Sequence, residues 1–230
     1  MRWQHPTRGL ISPTEFIPLA EDTGLILAIG QWVLLEACRQ MREWQVQFPT
    51  HPPLAISVNL SVKQFAQVNL VEQISQVLQQ TNLAPSSLKL EITESLLMEN
   101  QESVTAVMQQ LKALGVSLSL DDFGTGYSSL NYLHRFPIDT LKIDRSFVSS
   151  MEFGNDTWEI VRAIAMLTNA LDIDVIAEGV ETIEQLTQLR ILECKYGQGY
   201  FFSKPLDTAT ATALIMQKFA RITNNLVLQY

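Results

Sequence analysis

Residues that cross-link chains or bind soft metals are scarce in this sequence. Its two cysteines, Cys38 and Cys194, fall in apolar segments without metal-ligand spacing, so buried thiols are expected rather than a disulfide or a zinc site. The three histidines, His5, His51 and His134, show no ligand spacing either and read as structural or surface residues. Positive charge is also short, with 16 Lys and Arg against 24 Asp and Glu, a formal charge of −8 and a pI near 4.9. A general binder of DNA or of membrane surfaces needs the opposite balance. No apolar run reaches ~18 residues, so no membrane span is expected. The opening MRWQHPTRG has no signal-peptide pattern, which makes a cytoplasmic location the expectation.

What the chain does have is enough apolar residues for a large core, 47% against 17% charged in 230 residues, and no low-complexity linker to divide it. One domain over residues 1–230 is expected. Strand-like runs occur at 54–60 (LAISVNL), 88–92 (LKLEI), 116–121 (VSLSLD), 140–143 (TLKI), 175–177 (VIA) and 199–202 (GYFF). Helical patterns separate or follow them at 70–80, 102–114, 157–171, 183–192 and 208–222, and two more, at 14–22 and 31–44, precede the first clear strand. Gly115 after KAL and Asn155/Asp156 before TWEIV are stop and start signals in the right places. Repeated strand-then-helix units joined by right-handed crossovers predict a largely parallel sheet, either doubly wound or rolled into a barrel.

The polar residues decide between these two. At or just beyond the C-terminal ends of successive strands stand Asn59, Glu91 with Glu94, Asp121 with Asp122, Lys142 with Asp144, and Glu178 with Glu181, and Gln198 stands just before the last strand. A (β/α)₈ barrel assembles its site from many strand ends, whereas a doubly wound sheet gathers its ligand groups at one switch point. The phosphate-binding fingerprint of a dinucleotide fold is missing as well, since GTGYSS lacks the third glycine. A barrel is therefore expected.

Within it, LSLDDFGTG ends a strand in two adjacent carboxylates, an arrangement that costs stability unless something neutralises it. Asn59, Glu91, Asp121, Asp122 and Glu178 offer enough oxygen ligands for two hard cations such as Mg²⁺ or Mn²⁺ sharing a bridging aspartate. Two such ions clamp a phosphodiester and activate water, with Lys142 at hand to orient that water or to meet phosphate charge. Each residue alone has a plainer reading. DDFG could be a solvated turn, Glu178 and Glu181 could serve a helix dipole, Gln198 could support the turn in GQG, and Tyr200, Phe201 and Phe202 read as core. Those readings do not supply six coincidences at the same end of six strands.

Taken in order, RWQHPTRGLISPTEFIPLAEDTGLI, SVNLS, LEITE, DDFGTGYSSLNYL, LKIDRSFV, IAEGVE and GQGYFFSKP resemble the EAL domain family of bacterial cyclic di-GMP phosphodiesterases over residues 2–206. The resemblance implies a modified (β/α)₈ barrel that hydrolyses one phosphodiester of cyclic di-GMP to linear pGpG with Mg²⁺ or Mn²⁺. It implies metal ligation by Asn59, Glu91, Asp121, Asp122 and Glu178, with Asp121 and Glu178 also sharing in catalysis and Lys142 holding the nucleophilic water. Glu94 would steady the DDFG loop, and Arg2, Glu181 and Gln198 would line the substrate. In the family, the Glu-Ala-Leu tripeptide lies immediately before the segment that begins here at Met1, and its glutamate is a metal ligand. The strand count agrees, with six units where a closed barrel needs eight. The expectation is thus an EAL phosphodiesterase domain incomplete at its N-terminus. The alternative is a catalytically inactive cyclic di-GMP sensor or interaction module. A homodimer and upstream sensory or GGDEF domains are further implications of the resemblance.

Overall fold

The structure, a computed structural model, describes residues 1–97, 101–124, 133 and 135–227. It opens with a small antiparallel hairpin, β1 (Trp3–His5) and β2 (Gly9–Ile11), followed by two helices, α1 (Pro13–Thr23) and α2 (Ile26–Gln47). Strand β3 (Ile56–Asn59) leads into α3 (Val62–Phe65) and α4 (Leu70–Thr81), and β4 (Leu88–Thr93) into α5 (Glu94–Leu97) and α6 (Gln101–Leu114). Next come β5 (Ser117–Phe123) and β6 (Thr140–Ile143), then α7 (Arg145–Ser150) and α8 (Asp156–Ala170). The chain continues through β7 (Asp174–Glu178), α9 (Ile183–Ile191), β8 (Tyr196–Gln198) and α10 (Thr208–Val227).

The expected sheet is present: six strands, all neighbours parallel, in the order β3-β4-β5-β6-β7-β8, curled into a half-barrel. Alternation along the strands gives the sheet two unlike faces. On the outer face Leu88, Leu90, Ile92, Leu118, Leu120, Leu141, Ile143 and Ala177 are completely or almost completely buried, packed in one cluster with Ile74, Met108, Leu111 and Val161 from the helices. Burial of such side chains is worth roughly 1.5–3 kcal/mol each, and it is what drives the strand-helix layering. The inner face carries Lys89, Glu91, Ser119, Asp121, Thr140 and Lys142 instead. Its curvature brings side chains from alternate strands together: Lys89 Nζ of β4 donates to Thr140 Oγ1 of β6 at 2.9 Å across β5.

Helix ends follow the sequence signals. Asn155 accepts a hydrogen bond from Trp158 N at 2.8 Å to start α8, Thr182 and Gln185 form a reciprocal capping box at α9, and Gly115 closes α6 with φ +90°. Both thiols are free, Cys38 buried and Cys194 half-buried, and burial pushes each up to about 11.

Several expectations need correction. The β1-β2 hairpin has strands of three residues, too short for any periodicity, and its turn is organised by His5, whose Nδ1 accepts from the backbone N–H groups of Thr7 and Arg8, each at 3.2 Å. The final strand is Tyr196–Gln198 and not 199–202. Gly199 is pressed onto the backbone of Val180, where an added methyl would stand 2.2 Å from the carbonyl oxygen, and Phe201 N donates to that oxygen at 2.9 Å. The aromatic run is therefore a turn, and Tyr200, Phe201 and Phe202 are exposed rather than core. The short helices α3, α5 and α7 also carry too few residues to show a pattern in the sequence. Of the DDFGTGYSSLNYL motif, residues 125–132 lie outside the described residues, as does His134. Among the described residues no helix is long and apolar enough to cross a membrane.

Candidate active site

The inner face and the C-terminal rim of β4 to β7 converge on Lys142. This lysine is 3% exposed, and its Nζ lies 2.9 Å from Glu91 Oε2, 3.0 Å from Asp121 Oδ1 and 2.7 Å from Glu178 Oε1. One strand supplies each group: Glu91 comes from β4, Asp121 from β5, Lys142 from β6 and Glu178 from β7. Asp122 joins them, with oxygens of Asp121, Asp122 and Glu178 all within 4.8 Å of one another.

That two successive residues of β5 reach the same place is the work of a β-bulge. Leu120 pairs with Leu141 and Phe123 with Ile143, so two residues of β5, Asp121 and Asp122, stand opposite the single residue Lys142. Asp122 takes the extra position with φ +55°, a conformation that aspartate tolerates better than most residues. The bulge also returns Phe123 to the outer face, where it is buried.

Three carboxylates in contact with one ammonium, and a fourth, the exposed Asp122, beside them, leave a surplus of negative charge at a site whose lysine is buried. Burial works against the charged form of Lys142, but Glu91 and Asp121, together with hydrogen bonds to Glu178 and Glu91, outweigh it and hold the amine well above its ordinary range. Glu178 lies above the usual carboxylate range because burial outweighs its bond to Lys142, whose attraction is divided among several acids. Asp122 is raised as well, first by burial and then by the charges of Asp121 and Asp144. Asp144 itself caps α7, its Oδ1 accepting from Ser146 N at 2.9 Å, and an aspartate immediately before a helix is the sequence signal for that role. A set made only of oxygen donors with unbalanced negative charge suits hard divalent cations, so the cluster fits the metal that its chemistry suggests.

The remaining expected residues are spread around this centre. Asn59 ends β3 in register with Glu91, and Gln198 ends β8 in register with Glu178, so both belong to the same rim. Gln198 is thus the last residue of a strand and does not precede one. Glu94 opens α5, is 6% exposed, and accepts from Gly124 N at 3.3 Å. Arg2 stands beside the hairpin, lining an apolar groove with Trp3, Phe16 and Trp32, and Glu181 donates its backbone N–H to Gln185 Oε1 at 2.7 Å. Among the described residues no hydrogen bond or ion pair joins the side chain of Arg2 or Glu181 to the Lys142 cluster.

With this geometry in view, the match to known proteins has a physical counterpart. The EAL domain model covers residues 1–205. The chain belongs to the EAL domain family. It is 48% identical over 215 residues to the bifunctional diguanylate cyclase/cyclic di-GMP phosphodiesterase MucR of Pseudomonas aeruginosa, covering 94% of this chain and 31% of that protein. The cyclic di-GMP phosphodiesterase NbdA of the same organism is 44% identical over 209 residues, covering 91% of this chain and 26% of its own length. This EAL chain therefore spans about a third or less of these curated relatives. Among solved structures, the MucR phosphodiesterase in complex with cyclic di-GMP superposes with a TM-score of 0.87 at 47% identity, covering 91% of this chain and 84% of that one. The EAL enzyme Bd1971, bound to cAMP and cyclic di-GMP, gives 0.89 at 36% identity, covering 93% and 58%.

Proposed function

We propose that the chain hydrolyses one phosphodiester of cyclic di-GMP, giving linear pGpG, and that Mg²⁺ or Mn²⁺ serves the reaction. The observation that carries this reading is the buried lysine among Glu91, Asp121 and Glu178, with Asp122 at its edge, on the rim where a barrel of this family works. The names of the MucR and NbdA relatives support the substrate.

Asn59, Glu91, Asp121, Asp122 and Glu178 are the proposed ligands. Bound among them, a pair of divalent cations supplies Lewis acidity and lowers the pKa of a water molecule. Lys142 stays protonated, so it acts as a donor: its Nζ orients the attacking water and meets charge on the phosphate. Glu178, with a raised pKa and in contact with that same Nζ, is the proposed acceptor of the water proton. The water oxygen bonds to phosphorus, the P–O3′ bond breaks, the departing 3′-oxygen takes up a proton to become the 3′-hydroxyl, and a 5′-phosphate remains on pGpG. Glu94 steadies the turn after β5, while Arg2, Glu181 and Gln198 meet the nucleotide. A cytoplasmic location, a homodimer and upstream sensory or GGDEF domains complete the proposal, supported by the family resemblance and by the greater length of the relatives.

The test is conversion of cyclic di-GMP to pGpG by the purified chain, with Mn²⁺ and with chelator. Metal-dependent product is the expected result. Nucleotide binding with no turnover at any metal concentration would replace this reading with that of a sensor.

A further inference from the structure

Asp121 and Asp122 are followed at once by a turn, and the groups that fix this turn come from neighbouring units. Gly124 has φ +97°, which only glycine adopts at little cost. On one side its N–H donates to the buried carboxylate of Glu94. On the other side lies the ring of Phe147, so close that a methyl group added at Gly124 would stand 2.8 Å from Cε2 and 2.9 Å from Cζ. Phe147 is itself held: it lies in α7, its N–H donates to Asp144 O at 3.1 Å, and α7 follows directly on the strand that carries Lys142. The same helix also leans on the turn after β7, where a methyl at Gly179 would meet Arg145 Cβ at 2.5 Å.

We infer that Phe147 is a positioning residue, its ring seating Gly124 so that Asp121 and Asp122 are held against Lys142 and Glu178. It acts through the backbone of the turn. Without it, a glycine with wide conformational freedom keeps its long hydrogen bond to Glu94 and loses the wall opposite. The bearing of this on turnover rests on the phosphodiesterase reading above, whereas its bearing on the turn does not.

Two measurements on the chain separate these levels. The first is amide exchange of the segment 118–124 without metal or substrate. Phe147→Ala is expected to speed exchange at its C-terminal end about tenfold while leaving 88–93 and 174–178 unchanged, and Phe147→Leu, which keeps apolar bulk, to stay near the parent. Unchanged exchange in Phe147→Ala, or an equal rise in all three strands, overturns the inference. The second is Mn²⁺ affinity by calorimetry, expected to fall roughly 10–100-fold in Phe147→Ala, as when groups that support metal ligands are removed, and to recover in Phe147→Leu. Gly124→Ala attacks the contact from the other side: it should lose Mn²⁺ affinity too, and Gly124→Ala/Phe147→Ala should lose less than the two single losses combined. Strict additivity counts against the contact. Faster exchange with unchanged Mn²⁺ affinity overturns the role in the site. A parent chain that neither binds Mn²⁺ nor cleaves cyclic di-GMP counts against the phosphodiesterase reading alone, because the exchange result stands without it.

Discussion

Strands β5 and β6 carry an ionic cluster at each end, and the two differ in kind. At the N-terminal end Asp139 meets Lys112 at 2.6 Å and accepts from Leu118 N at 2.8 Å, with both side chains about a third exposed at 37% and 34%. Charge there is balanced one to one, and the pair ties α6 to the start of β6. Around Lys142, at the other end, one ammonium faces Glu91, Asp121 and Glu178 with Asp122 beside them, and the lysine is almost wholly out of water. A balanced, half-wet pair needs no third party. An unbalanced, buried one is expensive, and a fold keeps it where a cation or a reaction uses the surplus.

The widest separation of the two ends is expected from Asp121→Asn, which removes one of the three carboxylates in contact with Lys142 Nζ. Turnover of cyclic di-GMP should fall on the order of 10³-fold or more, the scale for loss of a principal transition-state contact; activity within tenfold of the parent would remove Asp121 from the proposed centre. Next is Lys142→Met, which leaves the acids without their ammonium. Urea unfolding in chelator should show about 3–5 kcal/mol lost, the cost of breaking a buried pair, and saturating Mn²⁺ should restore more stability to this variant than to the parent. Equal restoration in the two proteins would show that the surplus charge is not what metal neutralises. The smallest effect belongs to the other end. Asp139→Ala should cost about 1 kcal/mol, since exposure discounts the pair, or a Tm lower by about 2–4 °C, with Mn²⁺ affinity unchanged. A loss of metal affinity there would erase the distinction between the ends.

How much of this was legible in the sequence depended on whether a residue's role was local. Glu91, Asp121, Lys142 and Glu178 could be placed because each lies at or near the end of an alternating run, and alternation fixes which face a side chain takes. Asn155 and Gly115 could be read because capping is settled within a turn of helix. The position of β8 could not: its three residues include Gly197, and they form a strand only because β7 lies alongside, while the aromatic residues that follow have strand propensity without a partner. Nor did the sequence disclose that Asp122 is an extra residue, because a bulge is visible only against the neighbouring strand. The contact of Phe147 with Gly124 was hidden for the same reason, since nothing within LKIDRSFV or DDFG indicates what the other motif touches.

The bulge has one more consequence, for how β5 tolerates change in length. With the strand one residue shorter between Leu120 and Phe123, pairing with β6 would become regular and every residue beyond the cut would keep its face, yet the rim would hold one acid in place of two. Lengthened by one with the bulge kept, the strand would turn Phe123 inward and push an aromatic ring among the carboxylates. Substitutions along β5 are absorbed by packing on one face or the other, but a deletion or insertion at this point changes the stoichiometry of the site itself. Spacing, here, is a chemical property of the strand as much as any side chain on it.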